Sequence, residues 1–258
     1  MSLSKLSRSI QGSVAIITGA ASGMGRATAE LFAEQGVLVA ATDVNDLQLR
    51  EVQKSIEQEG FVCHDWMLDV SDLESIDRTV SEIADKLGGI DILINNAGIG
   101  GGGPVDDPDY ETRWQKSLNV MVTGHMRMVR AALPHLRKSN APRILNIAST
   151  EGLGATKFNT AYSTAKTAAI GFTRALAVEL GPEGITVNCI CPGPIRTGMT
   201  ENIPEENKKE YARRRVALKR YADPEEVAQM SLSLCLPAAS FVTGVALPVD
   251  GGLTIKNA

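Results

Sequence analysis

The chain has 258 residues, 43% of them hydrophobic and 22% charged, so it can bury a substantial core and does not belong to the disordered class. Its net charge of −4 provides no basic field that would attract nucleic acid or an anionic membrane surface, and neither is an expected partner. No run of about 18 apolar residues is present to span a bilayer, and the first residues lack the apolar core of a signal peptide.

The cysteine pattern bears on location and on metal binding. The four cysteines are Cys63, Cys189, Cys191 and Cys235. They form neither a regular disulfide framework nor, with the histidines, a cluster at metal-ligand spacing. A reducing, cytoplasmic location and no bound metal are therefore expected.

Short β-branched apolar runs alternate along the chain with stretches of helical spacing. In chain order, strands are predicted at residues 14–18, 37–43, 61–68, 90–95, 143–149, 185–190 and 245–249, and helices at 23–35, 46–59, 73–87, about 109–138, 162–180 and 224–236. This alternation predicts an α/β fold in which a parallel sheet of about seven strands carries helices on both faces.

The domain organisation follows from the same pattern. With no linker and no internal repeat, residues 1–258 are predicted to form a single doubly wound, Rossmann-type domain whose residues 1–11 are a flexible N-terminus. Residues 197–221 are polar and poor in apolar periodicity, and we expect them to form a mobile lid.

The turn after the first strand is rich in glycine. It reads Thr-Gly-Ala-Ala-Ser-Gly-Met-Gly over residues 18–25. Glycines at such a turn let a pyrophosphate approach backbone N–H groups at a helix N-terminus, where the helix dipole favours an anion. A merely tight turn is the alternative, but the strand before it, the helix after it and an acidic residue downstream favour a dinucleotide site.

That acidic residue is Asp43, at the end of the second predicted strand. Its carboxylate can accept hydrogen bonds from the adenosine ribose hydroxyls and would repel a 2′-phosphate, which predicts NAD rather than NADP. The alternative is an Asp that caps the next helix, for which Asp46 is the better candidate.

Tyr162 and Lys166 are four residues apart and therefore share one face of a predicted helix. A free phenol titrates near ~10, and a neighbouring ammonium favours the phenolate and lowers its pKa. The pair is short enough to occur by chance, so an ordinary surface contact is the competing interpretation.

Taken in order, these motifs resemble the short-chain dehydrogenase/reductase family over nearly the whole chain, from Gly12 to Leu253. The resemblance is carried by residues 18–25, Asn95-Asn96-Ala97-Gly98, Asn119, Ser149, Tyr162 with Lys166, Pro192-Gly193 and Asp250-Gly251-Gly252. It implies an enzyme that transfers hydride between NAD(H) and a small-molecule secondary alcohol or ketone, assembled as a homotetramer or homodimer.

The resemblance also implies roles for four catalytic residues. Tyr162 exchanges a proton with the substrate, and Ser149, at a strand end where open α/β sheets bind ligands, hydrogen-bonds the substrate oxygen. Lys166 binds the nicotinamide ribose and lowers the pKa of Tyr162, while the backbone of Asn119 holds a water that links Lys166 to solvent.

The implied cofactor contacts extend over several strand ends. Asp69 and Val70 resemble the pair that contacts adenine, and residues 192–197 resemble the loop that receives the nicotinamide carboxamide. The full set is Gly19, Ser22, Gly23, Met24, Gly25, Asp43, Val44, Asp69, Val70, Asn96, Ala97, Gly98, Tyr162, Lys166, Pro192, Gly193, Ile195 and Thr197.

Two other functions compete with this interpretation. A 3-oxoacyl-thioester (acyl-carrier-protein) reductase usually prefers NADP, but neither residues 19–25 nor Val44 supply a cation for a 2′-phosphate, and Arg26 is a weak substitute. A catalytically silent dinucleotide sensor would be expected to lack Tyr162 or Lys166. Glu151, Leu153 and Phe158 lie where family members often face the substrate, but they do not identify it.

Overall fold

The computed structural model describes residues 5–257. In chain order the elements are β1 (Val14–Thr18), α1 (Gly23–Glu34), β2 (Leu38–Asp43), α2 (Asp46–Gln58), β3 (Cys63–Met67), α3 (Leu73–Leu87), β4 (Ile92–Asn95), α4 (Tyr110–Leu118), α5 (Gly124–Leu136), β5 (Arg143–Ile147), α6 (Thr160–Leu180), β6 (Thr186–Pro192), α7 (Gly198–Glu201), α8 (Glu205–Arg215), α9 (Pro224–Cys235) and β7 (Ala246–Val249). A π-helical turn (Asn119–Thr123) joins α4 to α5, and a 3₁₀ turn (Thr150–Gly152) follows β5.

The seven strands pair in parallel in the order β3-β2-β1-β4-β5-β6-β7. The chain starts in the middle of the sheet, runs to one edge, returns beside β1 and then runs to the other edge. The strand order therefore reverses between β1 and β4, and a crevice opens there at the carboxyl ends. This topology confirms the predicted doubly wound sheet.

Alternate residues of the buried strands pack into cores on opposite faces of the sheet, because side chains of a strand point to opposite sides. Ala15 and Ile17 of β1 join Phe32 of α1 and residues of α2 and α9 on one face. Ile16 joins Met128 of α5 and residues of α3 and α6 on the other. Burying each large side chain contributes about 1.5–3 kcal/mol, so both cores hold the strand ends in place.

The prediction of one long helix over residues 109–138 is wrong in one respect. It is interrupted by the π-helical turn, in which the N–H of Gly124 bonds to the carbonyl oxygen of Asn119. A Cβ on Gly124 would lie 2.7 Å from the carbonyl oxygen of Val70, so the helix passes that backbone at a distance that only glycine permits.

The cap of α2 and the segment 197–221 also differ from prediction. Asn45, not Asp46, caps α2, since its side-chain oxygen accepts from the N–H of Gln48 at 3.2 Å while Asp46 already lies in the helix. The polar segment contains α7 and α8. In α8 only Lys208 and Ala212 are buried, so no apolar stripe marks it in the sequence.

Three further predictions concern the N-terminus, membrane-spanning helices and metal binding. Residues 1–4 of the predicted flexible N-terminus lie outside the described residues, and Ile10 is buried in the core. In the described part of the chain no helix is long and apolar enough to cross a membrane. Between residues 5 and 257, no group of three or more His, Cys, Asp or Glu side chains could hold a metal ion.

Candidate active site

A cavity of about 1080 Å³ opens at the carboxyl edge of the sheet, where the strand order reverses. Most of the residues predicted for the site line it. These are Gly19, Ser22, Gly23, Met24, Asp43, Asn96, Ala97, Gly98, Ser149, Tyr162, Lys166, Pro192, Gly193, Ile195 and Thr197. A cavity of this size and position is typical of a ligand site in an open α/β sheet.

The glycine-rich turn presents the start of α1 to this cavity. Ser22 occupies the N-cap position but its side chain makes no capping bond, and the first turn carries no acidic residue. Backbone N–H groups at this positive helix end are thus available to an anion, which fits the pyrophosphate of a dinucleotide. Gly25 does not line the cavity, but a Cβ there would overlap the carbonyl oxygen of Gly19, so it permits the tight turn.

Asp43 lies at the adenosine end of the predicted site, and its carboxylate also supports the turn. One oxygen accepts from the N–H of Ala21 at 3.1 Å and the other from the N–H of Asn45 at 2.9 Å. A carboxylate has about four acceptor positions, so further hydrogen bonds can still be accepted. Val44 is exposed and lies outside the cavity lining.

The cations near the site are distributed unevenly. Arg26 pairs with Glu30 at 2.7 Å on the exposed side of α1 and does not line the cavity. Among the described residues, the cations that line it are Arg113, Lys116 and Lys166, from α4 and α6. Asp43 ends β2, whereas α4 follows β4 and α6 follows β5 in the chain. None of these cations therefore comes from an element that directly follows or precedes β2.

Asn96 joins the ends of β1 and β4 beneath the cavity. Its amide nitrogen donates to the carbonyl oxygens of Thr18 at 2.8 Å and Gly19 at 3.1 Å. The hydroxyl of Thr18 in turn accepts from the N–H groups of Asn96 and Ala97, both at 3.0 Å. These bonds fix the glycine-rich turn against the neighbouring strand.

Ser149, Tyr162 and Lys166 meet at the opposite end of the cavity. Ser149 follows β5, and its hydroxyl accepts from the N–H of Glu151 at 3.1 Å. Lys166 is 3% exposed, its Nζ donates to the carbonyl oxygen of Ile147 at 2.7 Å, and it lies 5.6 Å from the ring centroid of Tyr162. A phenol, a hydroxyl and an ammonium group therefore share one small volume.

The proton affinities at this end differ from the sequence expectation. Burial raises the pKa of Tyr162, its hydrogen bond with Ser149 lowers that pKa, and the charge of Glu151 raises it. Lys166 is not among the groups that shift this pKa, and its ammonium donates to the carbonyl oxygen of Ile147. Burial lowers the pKa of Lys166 itself to about 8.

Four predicted residues besides Gly25 lie outside the cavity lining: Asn119, Val44, Asp69 and Val70. The side-chain oxygen of Asn119 accepts from Gln115 at 2.8 Å, and its backbone oxygen accepts from Gly124. The carboxylate of Asp69 accepts from the N–H and hydroxyl of Ser71. The roles that the resemblance implies for these residues stay predictions.

Several cavity residues were not identified as site residues from the sequence. They include Arg113, Lys116 and Ser117 of α4, Met199 and Tyr211 of α7 and α8, and Tyr221 and Leu253. None belongs to a short motif, and only the topology brings them to the same opening. Of the three residues noted between Ser149 and Tyr162, Glu151 lines the cavity, whereas Leu153 and Phe158 are exposed outside it.

The segment that contains α7 and α8 borders the cavity through Met199, Ile203 and Tyr211. It is linked at both ends, because Arg196 pairs with Glu205 at 2.9 Å and the Nζ of Lys256 donates to the carbonyl oxygen of Arg214 at 2.7 Å. That this segment closes as a lid stays a prediction.

Comparisons with known proteins cover almost the entire chain. Residues 19–254 match a family model described as enoyl-(acyl carrier protein) reductase. The chain is 37% identical to a 3-oxoacyl-[acyl-carrier-protein] reductase of Thermotoga maritima over 95% of its length and 99% of that protein's. It is also 37% identical to a meso-2,3-butanediol dehydrogenase of Serratia marcescens, over 95% of each chain.

A solved structure has the same fold over almost its whole length. A protein of Sinorhizobium meliloti 1021, described as a short-chain alcohol dehydrogenase, superposes with a TM-score of 0.91 at 31% identity, covering 96% of this chain and 99% of the other. The chain therefore belongs to the short-chain dehydrogenase/reductase family and is an oxidoreductase that acts on CH–OH and C=O groups with a nicotinamide dinucleotide.

Proposed function

We propose that this protein is an NAD(H)-dependent oxidoreductase that interconverts a small secondary alcohol and its ketone, with Tyr162 as general acid and base. The observation that carries the proposal is the single cavity that Asp43, the glycine-rich turn, Ser149, Tyr162 and Lys166 line together. It combines the groups needed to bind a dinucleotide with those needed to move a proton at a carbinol oxygen.

The proton is handled by Tyr162. In alcohol oxidation the phenolate takes the hydroxyl proton, and in ketone reduction the phenol returns it to the oxygen. The hydroxyl of Ser149, a hydrogen-bond partner of Tyr162, is suited to hold that same oxygen. Because burial raises the pKa of Tyr162, the phenol form predominates at neutral pH, so oxidation gains as the pH rises and reduction does not.

The residues present fit a dinucleotide along the rest of the cavity. The glycine-rich turn and the start of α1 would hold the pyrophosphate, Asp43 the adenosine ribose, Lys166 the nicotinamide ribose, and residues 192–197 the carboxamide. When bound, the cofactor supplies the hydride acceptor or donor. In this proposal Asn119 connects Lys166 to solvent through a backbone-held water.

Cofactor choice is expected to depend on Asp43. We expect kcat/KM for NAD(H) to exceed that for NADP(H) by at least about tenfold, which needs ~1.4 kcal/mol, and charge-assisted hydrogen bonds supply ~1.5–3 kcal/mol. Asp43→Asn keeps an acceptor oxygen for the turn but removes the charge. We expect this variant to have a smaller ratio of kcat/KM for NAD(H) to kcat/KM for NADP(H). Asp46→Asn, at the half-buried first residue of α2 and outside the cavity lining, is the matched control. A wild-type preference for NADP(H) would refute this prediction.

The rival function is a 3-oxoacyl-thioester reductase, which the Thermotoga relative supports at the same identity as the butanediol dehydrogenase relative. The test is a panel of secondary alcohols with NAD⁺ and of ketones and 3-oxoacyl thioesters with NADH and NADPH, followed by absorbance of the reduced cofactor. Turnover of simple alcohols and ketones with NAD(H) supports the proposal. Turnover confined to thioesters with NADPH would favour the rival.

We also propose that the protein is a cytoplasmic homotetramer or homodimer. The apolar side chains of Phe241, fully exposed, and of its neighbour Val242, also exposed, support an assembly that covers them. The four cysteines are buried free thiols, which suits a reducing compartment. Sedimentation velocity should give two or four times the chain mass of 27.5 kDa. A sedimenting monomer at micromolar concentration would contradict the assembly.

A further inference from the structure

We propose that Glu151 is a positioning residue for Tyr162: its carboxylate fastens the loop between Ser149 and α6 to the first turn of α6, in the cavity that the phenol also lines. Glu151 lines the cavity and lies two residues after Ser149. The inference rests on the proposed role of Tyr162 and assigns a function to a residue outside the three catalytic side chains that meet there.

The carboxylate of Glu151 holds two separate parts of the chain. One oxygen accepts from the hydroxyl of Thr156 at 2.6 Å. The other accepts from the N–H of Thr156 and from the hydroxyl of Ser163, both at 2.9 Å. Ser163 directly follows Tyr162, so this carboxylate connects the loop to the helical turn that carries the phenol. Hydrogen bonds to a charged group are among the stronger ones in proteins.

The backbone next to Glu151 packs closely against α6. A Cβ on Gly152 would lie 2.7 Å from the carbonyl oxygen of Lys166 and 2.9 Å from Cδ1 of Ile170. Gly152 therefore lets the 3₁₀ turn pack directly on the part of α6 that bears Lys166. Glu151 and Gly152 together determine how Ser149 and the Tyr162 face of α6 lie relative to each other.

Glu151 also places a negative charge beside the phenol. The charged or titratable side chains that share the cavity with Tyr162 are Asp43, Arg113, Lys116, Glu151, Lys166, Tyr211 and Tyr221. His125 of α5 interacts with Lys166 but burial holds its pKa at about 3, so it stays neutral. Of these groups, Glu151 is the one whose charge raises the pKa of Tyr162, and it raises that of Tyr211 of α8 as well.

Two variants separate the bond network from the charge. Glu151→Gln can keep a carbonyl oxygen that accepts from the N–H of Thr156 and the hydroxyl of Ser163, and its amide nitrogen can donate to the hydroxyl of Thr156, but it removes the charge. Thr156→Val removes the shortest hydrogen bond and keeps the charge. The measurements are the pH dependence of kcat/KM for alcohol oxidation and the amide hydrogen exchange of residues 150–159, which needs no turnover.

In Glu151→Gln we expect the rise of kcat/KM with pH to move to lower pH, because the phenolate forms more readily without the neighbouring charge. In Thr156→Val we expect an unmoved pH profile, faster exchange across residues 150–159 and a KM raised by about threefold to tenfold. A Glu151→Gln profile that coincides with wild type, or unchanged exchange in Thr156→Val, would overturn the proposal. If Tyr162→Phe retains turnover in the same assay, the proposed function fails instead.

Discussion

Replacing Tyr162 with phenylalanine will lower kcat by about 10²–10⁴-fold, the usual contribution of general acid–base catalysis, while the Kd for NADH stays close to that of wild type. The substitution removes a single oxygen, so the packing of α6 and the bond from Lys166 to the carbonyl of Ile147 remain. The two quantities are measured by steady-state turnover with any accepted substrate and by fluorescence titration with NADH.

The matched control for this variant is Tyr110→Phe. The hydroxyl of Tyr110 bonds that of Thr160 at 2.6 Å, next to the start of α6 but outside the cavity lining. Its loss should leave turnover within about threefold of wild type, since no proton transfer depends on it. If Tyr162→Phe and Tyr110→Phe turn over substrate at the same rate, Tyr162 is not the general acid and base.

Gly25→Ala should weaken NADH binding by at least about tenfold and lower the free energy of unfolding by about 1–3 kcal/mol, the usual range for overpacking. A Cβ at this position would overlap the carbonyl oxygen of Gly19 and lie 2.5 Å from the amide nitrogen of Asn96. These are backbone and hydrogen-bonded groups that cannot rotate away. The glycine-rich turn must therefore shift, and the shift falls at the start of α1, which faces the cavity.

Gly171→Ala serves as the control for Gly25→Ala. Gly171 lies within α6 and, apart from the helix's own backbone and adjacent residues, no atom of the described chain comes within 4 Å of its added Cβ. Alanine stabilises a helix interior by up to about 1 kcal/mol relative to glycine, so this variant should be as stable as wild type or more so and bind NADH normally. Normal NADH binding by Gly25→Ala would show that the turn tolerates a side chain and would contradict the steric argument.

The sheet could be predicted from the sequence because its signal is local and repeated. A strand such as β1, buried on both faces, appears as an unbroken apolar run, and the helices that follow carry apolar residues at helical spacing. That Ser149, Tyr162 and Lys166 share one site could be predicted because they occur in motifs of fixed spacing, at a strand end and on one helix face. Their convergence in one cavity needs only the parallel topology.

The remaining features depend on tertiary contacts that leave no periodic trace. Asn45 and Asp46 are both good capping residues, and only the backbone conformation makes Asn45 the cap. The pKa of Tyr162 depends on burial and on its neighbours Ser149 and Glu151, which spacing along a helix does not reveal. The bonds of Glu151 join residues 5 and 12 positions away, across a loop whose one regular element is the 3₁₀ turn at its start.

The π-helical turn at Asn119–Thr123 has a consequence for the phase of the helices on either side. Such a turn contains one residue more than an α-helical path, and each residue advances the helix by about 100°. Arg113 and Lys116 face the cavity before it, while Met128 and Val129 enter the core after it. A chain shortened by one residue here would form a more regular helix but could not direct both faces correctly, so this irregularity preserves the lining of the cavity and the core together.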